Sequence, residues 1–216
     1  MTVVCLAGPS AAGKTTGARL LADRGAVHVP EVTDLFDRPA DAPEGWYADR
    51  QCDRWTRAVA AERESRLAVL DGDPFQPLWY NWVAAALDCE HHLPRPPSVP
   101  CVLGRYEAAA RAGSIAFPDA YVLLRVQEED LRARRRGDTD RRRRNFDYHL
   151  RFAEPQRRYF AALADLTPVR VTTVDATTPR RVADAAEGVD GGQVRDPDAV
   201  LSVLETVGEW LARTPA

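Results

Sequence analysis

The stretch Gly8-Pro9-Ser10-Ala11-Ala12-Gly13-Lys14-Thr15 (GPSAAGKT) follows the apolar run Val3-Val4-Cys5-Leu6-Ala7 and opens a helix-like run, Thr16 to Arg24. It fits Gly-x-x-x-x-Gly-Lys-[Ser/Thr] in the strand-then-helix context that the pattern requires. The spacing has a chemical reason. Gly8 and Gly13 permit backbone angles and a close approach that a Cβ would block. The N–H groups of Ser10, Ala11, Ala12, Gly13, Lys14, Thr15 and Thr16 can then face a polyphosphate held over the positive end of the following helix. Lys14 can reach the β- and γ-phosphates, and the Thr15 hydroxyl can ligate Mg2+.

Lys14 is the only lysine in the chain; the other 28 of the 29 basic residues are arginines. The single lysine stands where a compact ammonium on a flexible stem is needed, a job that a planar guanidinium does poorly. The 216 residues suit one α/β domain, expected to span 1–216, and the 45% hydrophobic content is enough for a core. A net charge of -3 implies neither nucleic acid nor a membrane as a partner. The four cysteines (Cys5, Cys52, Cys89, Cys101) show no CxxC spacing, which fits reduced thiols and a cytoplasmic protein. Cys89-Glu90-His91-His92 has metal-ligand residue types but no second ligand pair, so a solvated loop is expected there. No apolar stretch approaches the ~20 residues of a membrane span.

Outward from the loop, Thr2 to Ala7 reads as a strand buried on both faces, as in a parallel sheet. A helix is expected from Lys14 to Arg24, a second strand at 26–29, and Glu31 directly after Pro30 at the carboxyl end of that strand. Ligands of open α/β sheets bind at that edge. Residues 34–45 read as a loop, and 46–67 as a helix carrying Trp46 and Gln51. Ala68-Val69-Leu70 then forms a strand that closes on Asp71-Gly72-Asp73. A short hydrophobic strand ending in a carboxylate is the usual companion of a phosphate loop, where it holds Mg2+ or its water; Asp71 or Asp73 could do this. Phe75, Trp79 and Tyr80 form an aromatic cluster opening the next helix, and 101–112 reads as a helix carrying Arg105. Ala120 to Val126 and Val169 to Asp175 read as the remaining strands, and 198–213 as an amphipathic helix packing on the domain or on a second copy of the chain.

Between those last two strands lies the most charged segment, about 127–150. Glu128, Glu129 and Asp130 start a helix, and Arg132, Arg134, Arg135 and Arg136 fall towards its end, as the helix dipole favours. Arg141 to Arg144 follow, and a second helix is expected from Asn145 to Leu166. A solvated hairpin, a nucleic-acid patch and a lid closing over a transferred phosphoryl group all fit this composition. The phosphate loop favours the lid, with Arg135, Arg141 or Arg143 supplying charge.

With these residues in place, the chain resembles the nucleoside and nucleotide kinases of the phosphate-loop (P-loop) NTPase superfamily over about residues 2 to 187. GPSAAGKT, Val29-Pro30-Glu31, VLDGDPF (69–75) and the run from Pro118 through the arginines to Tyr148 carry the resemblance. It implies a three-layer α/β/α fold, a five-stranded parallel sheet in order 2-3-1-4-5, and an Arg-rich helical lid. It also implies ATP and Mg2+ as cofactors and a small-molecule phosphoryl acceptor, a nucleoside or nucleotide first of all. In deoxynucleoside kinases the glutamate after strand two is the general base, and Glu31 is the matching position. Their strand-three motif is an acid followed by Arg-Ser; Asp71 matches the acid, but Gly72-Asp73 replaces Arg-Ser. The resemblance would make Gln51 the counterpart of the glutamine that reads the base.

The resulting expectation is a kinase with Lys14 on the triphosphate, Thr15 and Asp71 holding Mg2+, and Glu31 or Asp73 as base. Trp46, Gln51, Phe75, Trp79, Tyr80 and Arg105 are the candidates for the acceptor pocket. The alternative is an ATPase or nucleotide switch that binds nucleic acid through its arginines. A GTPase is disfavoured, because guanine reading by Asn-Lys-x-Asp needs a second lysine.

Overall fold

The computed structural model of the chain describes residues 2–87, 96–137, 145–189, 192 and 194–216. The apolar, β-prone runs pair as expected. β1 (Thr2–Ala7), β2 (Val27–Val29), β3 (Leu67–Asp71), β4 (Ala120–Arg125) and β5 (Val171–Asp175) form one parallel sheet in the order β2-β3-β1-β4-β5. Val4 at the centre pairs with Val69 on one side and Ala120 on the other. Side chains alternate across a strand, so β1 faces two cores. Val4 and Leu6 pack under α1 (Lys14–Asp23) and α9 (Pro179–Glu187). Val3 and Cys5 pack under α3 (Trp46–Glu64), α4 (Gln76–Ala86), α5 (Val99–Arg111), α8 (Ala153–Leu166) and α10 (Pro197–Arg213). Covering both faces is what makes the inner strands read as unbroken apolar runs.

The remaining helices lie at the carboxyl edge of the sheet or lead from it. They are α2 (Val32–Leu35), α6 (Glu128–Gly137) and α7 (Phe146–Leu150). At the opposite edge Arg195 bridges Glu62 of α3 (2.6 Å) and Asp119 before β4 (2.6 Å), and Asp119 in turn accepts the backbone N–H of Val3 at 2.7 Å. The charged clamp ties both central strands to α3.

The structure departs from the sequence expectation in three places and, for α10, selects one of two expected packings. The helix from Trp46 stops at Glu64, because Ser65 turns extended and Leu67 pairs with Thr2 in the sheet. The helix expected over 145–166 is two helices. Pro155 has no N–H to give the Arg151 carbonyl and its ring would crowd it, so the chain bends at 151–152 and restarts. α5 begins at Val99 rather than Cys101, capped by Ser98, whose hydroxyl accepts from the Cys101 N–H. The apolar face of α10, with Val203, Leu204 and Val207, packs onto its own chain against α5 and α8. Cys89 to His92 lie outside the described residues. Among those described, no group of three or more His, Cys, Asp or Glu could hold a metal, and no helix is long and apolar enough to cross a membrane.

Candidate active site

The loop from Gly8 to Thr16, Glu31 and Asp71 meet at the carboxyl edge of β1, β2 and β3. Gly8 turns the chain out of β1 with φ 143, and a Cβ there would stand 2.9 Å from the Leu124 carbonyl oxygen of β4. Only glycine fits so close to the neighbouring strand. Ala11 and Gly13 also take positive φ (67 and 99), which curls the loop around an open cavity. α1 begins at Lys14 with no side-chain cap and no acidic residue in its first turn, so the partial positive charge of its N-terminus faces that cavity unopposed. The cavity has a volume of about 580 Å³ and is lined by the whole stretch from Gly8 to Thr16. Across it Lys14 folds back on its own loop, its Nζ donating to the Gly8 and Pro9 carbonyls at 3.1 and 3.2 Å.

The two acids after β3 have separate environments. Asp71, the last residue of the strand, is fully buried, and neither carboxylate oxygen has a hydrogen bond among the described residues. Burial works to raise its pKa, but neighbouring His28, Lys14 and Thr15 hold the carboxyl below its ordinary value. A buried anion with no partner at normal hydrogen-bond distance, beside the lysine and threonine of the phosphate loop, suits a hard cation or its water. Thr15 and Asp71 therefore fit a magnesium ion.

Asp73 points elsewhere. Gly72 (φ 96) reverses the chain, and the Asp73 side chain then accepts from the Phe75 N–H, Trp79 Nε1 and Tyr121 hydroxyl, each at 2.9 Å. Like Asp71, it lines neither of the two large cavities at this edge, but its two oxygens are already taken by these three donors. Burial pushes its pKa up to about 6 against those three donors. The geometry makes Asp73 an internal anchor and corrects its reading as a base or metal ligand.

Glu31 caps the start of α2 just beyond β2 and sits against Gly72. It lines the phosphate cavity and also a second cavity of about 580 Å³, and among the described residues its carboxylate makes no hydrogen bond or ion pair. Gln76, Tyr80 and His149 are the other side chains common to both cavities. Trp46 and Tyr80 supply aromatic wall to the second cavity, with Tyr80 stacked on Phe152 at 4.8 Å. Trp79 lines the phosphate cavity instead.

Three of the expected acceptor residues are not at the cavity wall. Phe75 is fully buried and stacked on Phe117 at 4.1 Å, because the turn at Pro74 drives it into the core. Gln51 is fully buried, and its Oε1 is occupied by Arg54 at 2.5 Å. Arg105 is held over Gly45 by Asp49 and the Glu44 carbonyl.

Arg54 is a residue that pattern reading missed. Its buried guanidinium donates to the backbone carbonyls of Pro30 (2.7 Å) and Asp71 (2.9 Å), joining the ends of β2 and β3 and so fixing Glu31 relative to Asp71. A lone Arg inside a helix full of charged residues gives no sequence signal of this. The lid also differs in detail from expectation. Arg135 pairs with Asp147 and lies 5.1 Å over the Phe146 ring, away from the cavity. Arg134 reaches in instead, donating to the carbonyls of Ala12 in the loop (2.9 Å) and Ala176 after β5 (2.5 Å). Arg141 and Arg143 lie outside the described residues.

No protein-family model and no curated protein sequence matches the chain. Solved structures do. It is similar to the thymidylate kinase of Candida albicans, with a TM-score of 0.56 and 12% identity over 85% of this chain and 88% of that one. It is also similar to the deoxyadenosine kinase of M. mycoides in two states. With dATP bound, the TM-score is 0.55 at 13% identity, covering 85% and 96%. With the products dCMP and dCDP, it is 0.52 at 13%, covering 85% and 95%. The strand order, the loop from Gly8 to Thr15 and these likenesses agree: the chain has the fold of the P-loop nucleoside and nucleotide kinases.

Proposed function

We propose that the chain is a kinase that moves the γ-phosphate of ATP to a hydroxyl of a small acceptor, a nucleoside or a nucleotide. One observation carries this reading: an unpaired carboxylate, Glu31, stands where the phosphate cavity meets a second, aromatic-walled cavity. A phosphoryl transfer needs a donor on one side, an acceptor on the other and a proton acceptor between them. The loop N–H groups and Lys14 bind the donor phosphates, and Trp46 and Tyr80 pack on the acceptor. Glu31 takes the proton from the acceptor hydroxyl. Thr15 and Asp71 would hold Mg2+, which would supply charge neutralisation for the phosphate oxygens. Arg134 keeps the lid helix against the loop and adds positive charge to the cavity wall. The named activities of the structural neighbours, both kinases of nucleosides or nucleotides, support the same acceptor class. The free thiols of Cys5, Cys52 and Cys101 agree with work in the reducing cytoplasm.

The test is ADP release from Mg-ATP across a panel of nucleosides, nucleoside monophosphates and other hydroxylated metabolites. With the best acceptor, Glu31→Gln should lower kcat by about 10²–10⁴-fold, the usual worth of a general base. Lys14→Ala should lower kcat/KM by a comparable factor. Full ATP-dependent transfer by Lys14→Ala would sink the assignment.

A further inference from the structure

One polar contact at the site serves neither the phosphates nor the acceptor. His28 lies in β2 opposite Val69 of β3, so the residue two further along β3 on the same face is Asp71. Diagonal neighbours of this kind are within reach of a long side chain. The His28 side chain, 16% exposed, brings Nε2 to 3.6 Å from the Asp71 Oδ2. That is ion-pair range but just beyond a hydrogen bond, and His28 Nε2 and both Asp71 oxygens are buried without one. Three buried polar atoms left open at one point are costly unless a ligand completes them. An aliphatic residue would serve a β2 position over the α1 core; imidazole there calls for another reason.

We infer that His28 is a positioning residue for Asp71: its Nε2–H, 3.6 Å from Oδ2, attracts that oxygen and thereby presents the other to the magnesium ion or its bound water. The inference rests on the proposed kinase reading and deepens it at the metal. A carboxylate fixed in advance does not have to give up rotamer freedom when the cation arrives, and partners that orient metal ligands are worth about 10–100-fold in metal affinity. Arg54 fixes the Asp71 backbone from one side, and His28 fixes the side chain from the other.

The experiment compares ATP affinity, by titration calorimetry at one pH, in saturating Mg2+ and in EDTA. The proteins are wild type, His28→Phe (ring kept, no donor), His28→Ala and His28→Gln (an amide donor at the reach of Nε2). In wild type, Mg2+ should tighten ATP binding. In His28→Phe and His28→Ala this tightening should shrink by about 10-fold or more, with the EDTA affinity within about 2-fold of wild type by the same reasoning. His28→Gln should recover most of it. Should His28→Ala not fold, the contrast between Phe and Gln decides alone. Equal Mg2+ tightening in the Phe and Gln variants would overturn the inference while leaving the kinase reading intact. If wild type binds ATP equally with and without Mg2+, the metal role of Asp71 falls and this inference with it. The kinase reading is then judged separately by ADP release.

Discussion

Ala11 holds φ 67 in the middle of the phosphate loop, a region costly for any residue with a Cβ. Glycine would relieve that strain but would also loosen the unfolded chain, and the two effects are similar in size. Ala11→Gly should therefore stay within about 1 kcal/mol of wild type in urea unfolding. Ala11→Val adds branching at the strained position and should lose about 1–3 kcal/mol, with weaker ATP binding. Asp73 makes the stability of the fold depend on pH. Its folded pKa, about 6, lies above the ordinary carboxyl value, so between those pH values the folded state binds more protons than the unfolded one. Its contribution to stability is thus greatest in acid and falls as pH rises through about 6. Unfolding free energies of wild type minus Asp73→Asn should decline over that window, by at most about 1.4 kcal/mol per pH unit, and be flat above pH ~7. A difference that rises with pH there would contradict the burial of this acid.

The helices decide which of many arginines matter. Arg134 and Arg135 are adjacent in sequence and indistinguishable by composition, yet α6 turns one onto the phosphate loop and the other onto Asp147 and Phe146. Arg134→Met should weaken ATP binding by about 10-fold, the worth of one charge-assisted hydrogen bond. Arg135→Met, which breaks an exposed pair, should change it by less than about 3-fold, a surface-ion-pair effect. α1 against α9 offers a packing test: a Cβ on Gly17 would stand 2.6 Å from Val182 Cγ1. Gly17→Ala should cost about 1–3 kcal/mol in unfolding measurements. Val182→Ala should restore part of that in the double variant, since the two residues share one contact.

The whole molecule is held shut at the edge opposite the site by Arg195 between Glu62 (7% exposed) and Asp119 (1% exposed). Arg195→Met leaves two buried carboxylates unpaired and should cost about 3–5 kcal/mol, read as a lower melting temperature. That clamp, 133 and 76 residues apart in the chain, had no signal in the sequence. The layered parallel sheet did, because buried strands need continuous apolar runs and GPSAAGKT needs a strand before it and a helix after it. Glu31 and Asp71 were also legible, since each directly follows or ends such a run at the edge where ligands bind. Side-chain direction was not. Whether Asp73 faces the cavity or the core depends on the turn at Gly72, and Gln51 was withdrawn from the cavity by Arg54, a contact set by the meeting of β2, α3 and β3. Local pattern therefore established the sheet, the phosphate loop and the carboxylates at its edge. Long-range packing chose Glu31 over Asp73 at the cavity junction, Arg134 over Arg135 on the loop, and His28 as the neighbour of Asp71, because each choice rests on contacts between elements distant in the chain.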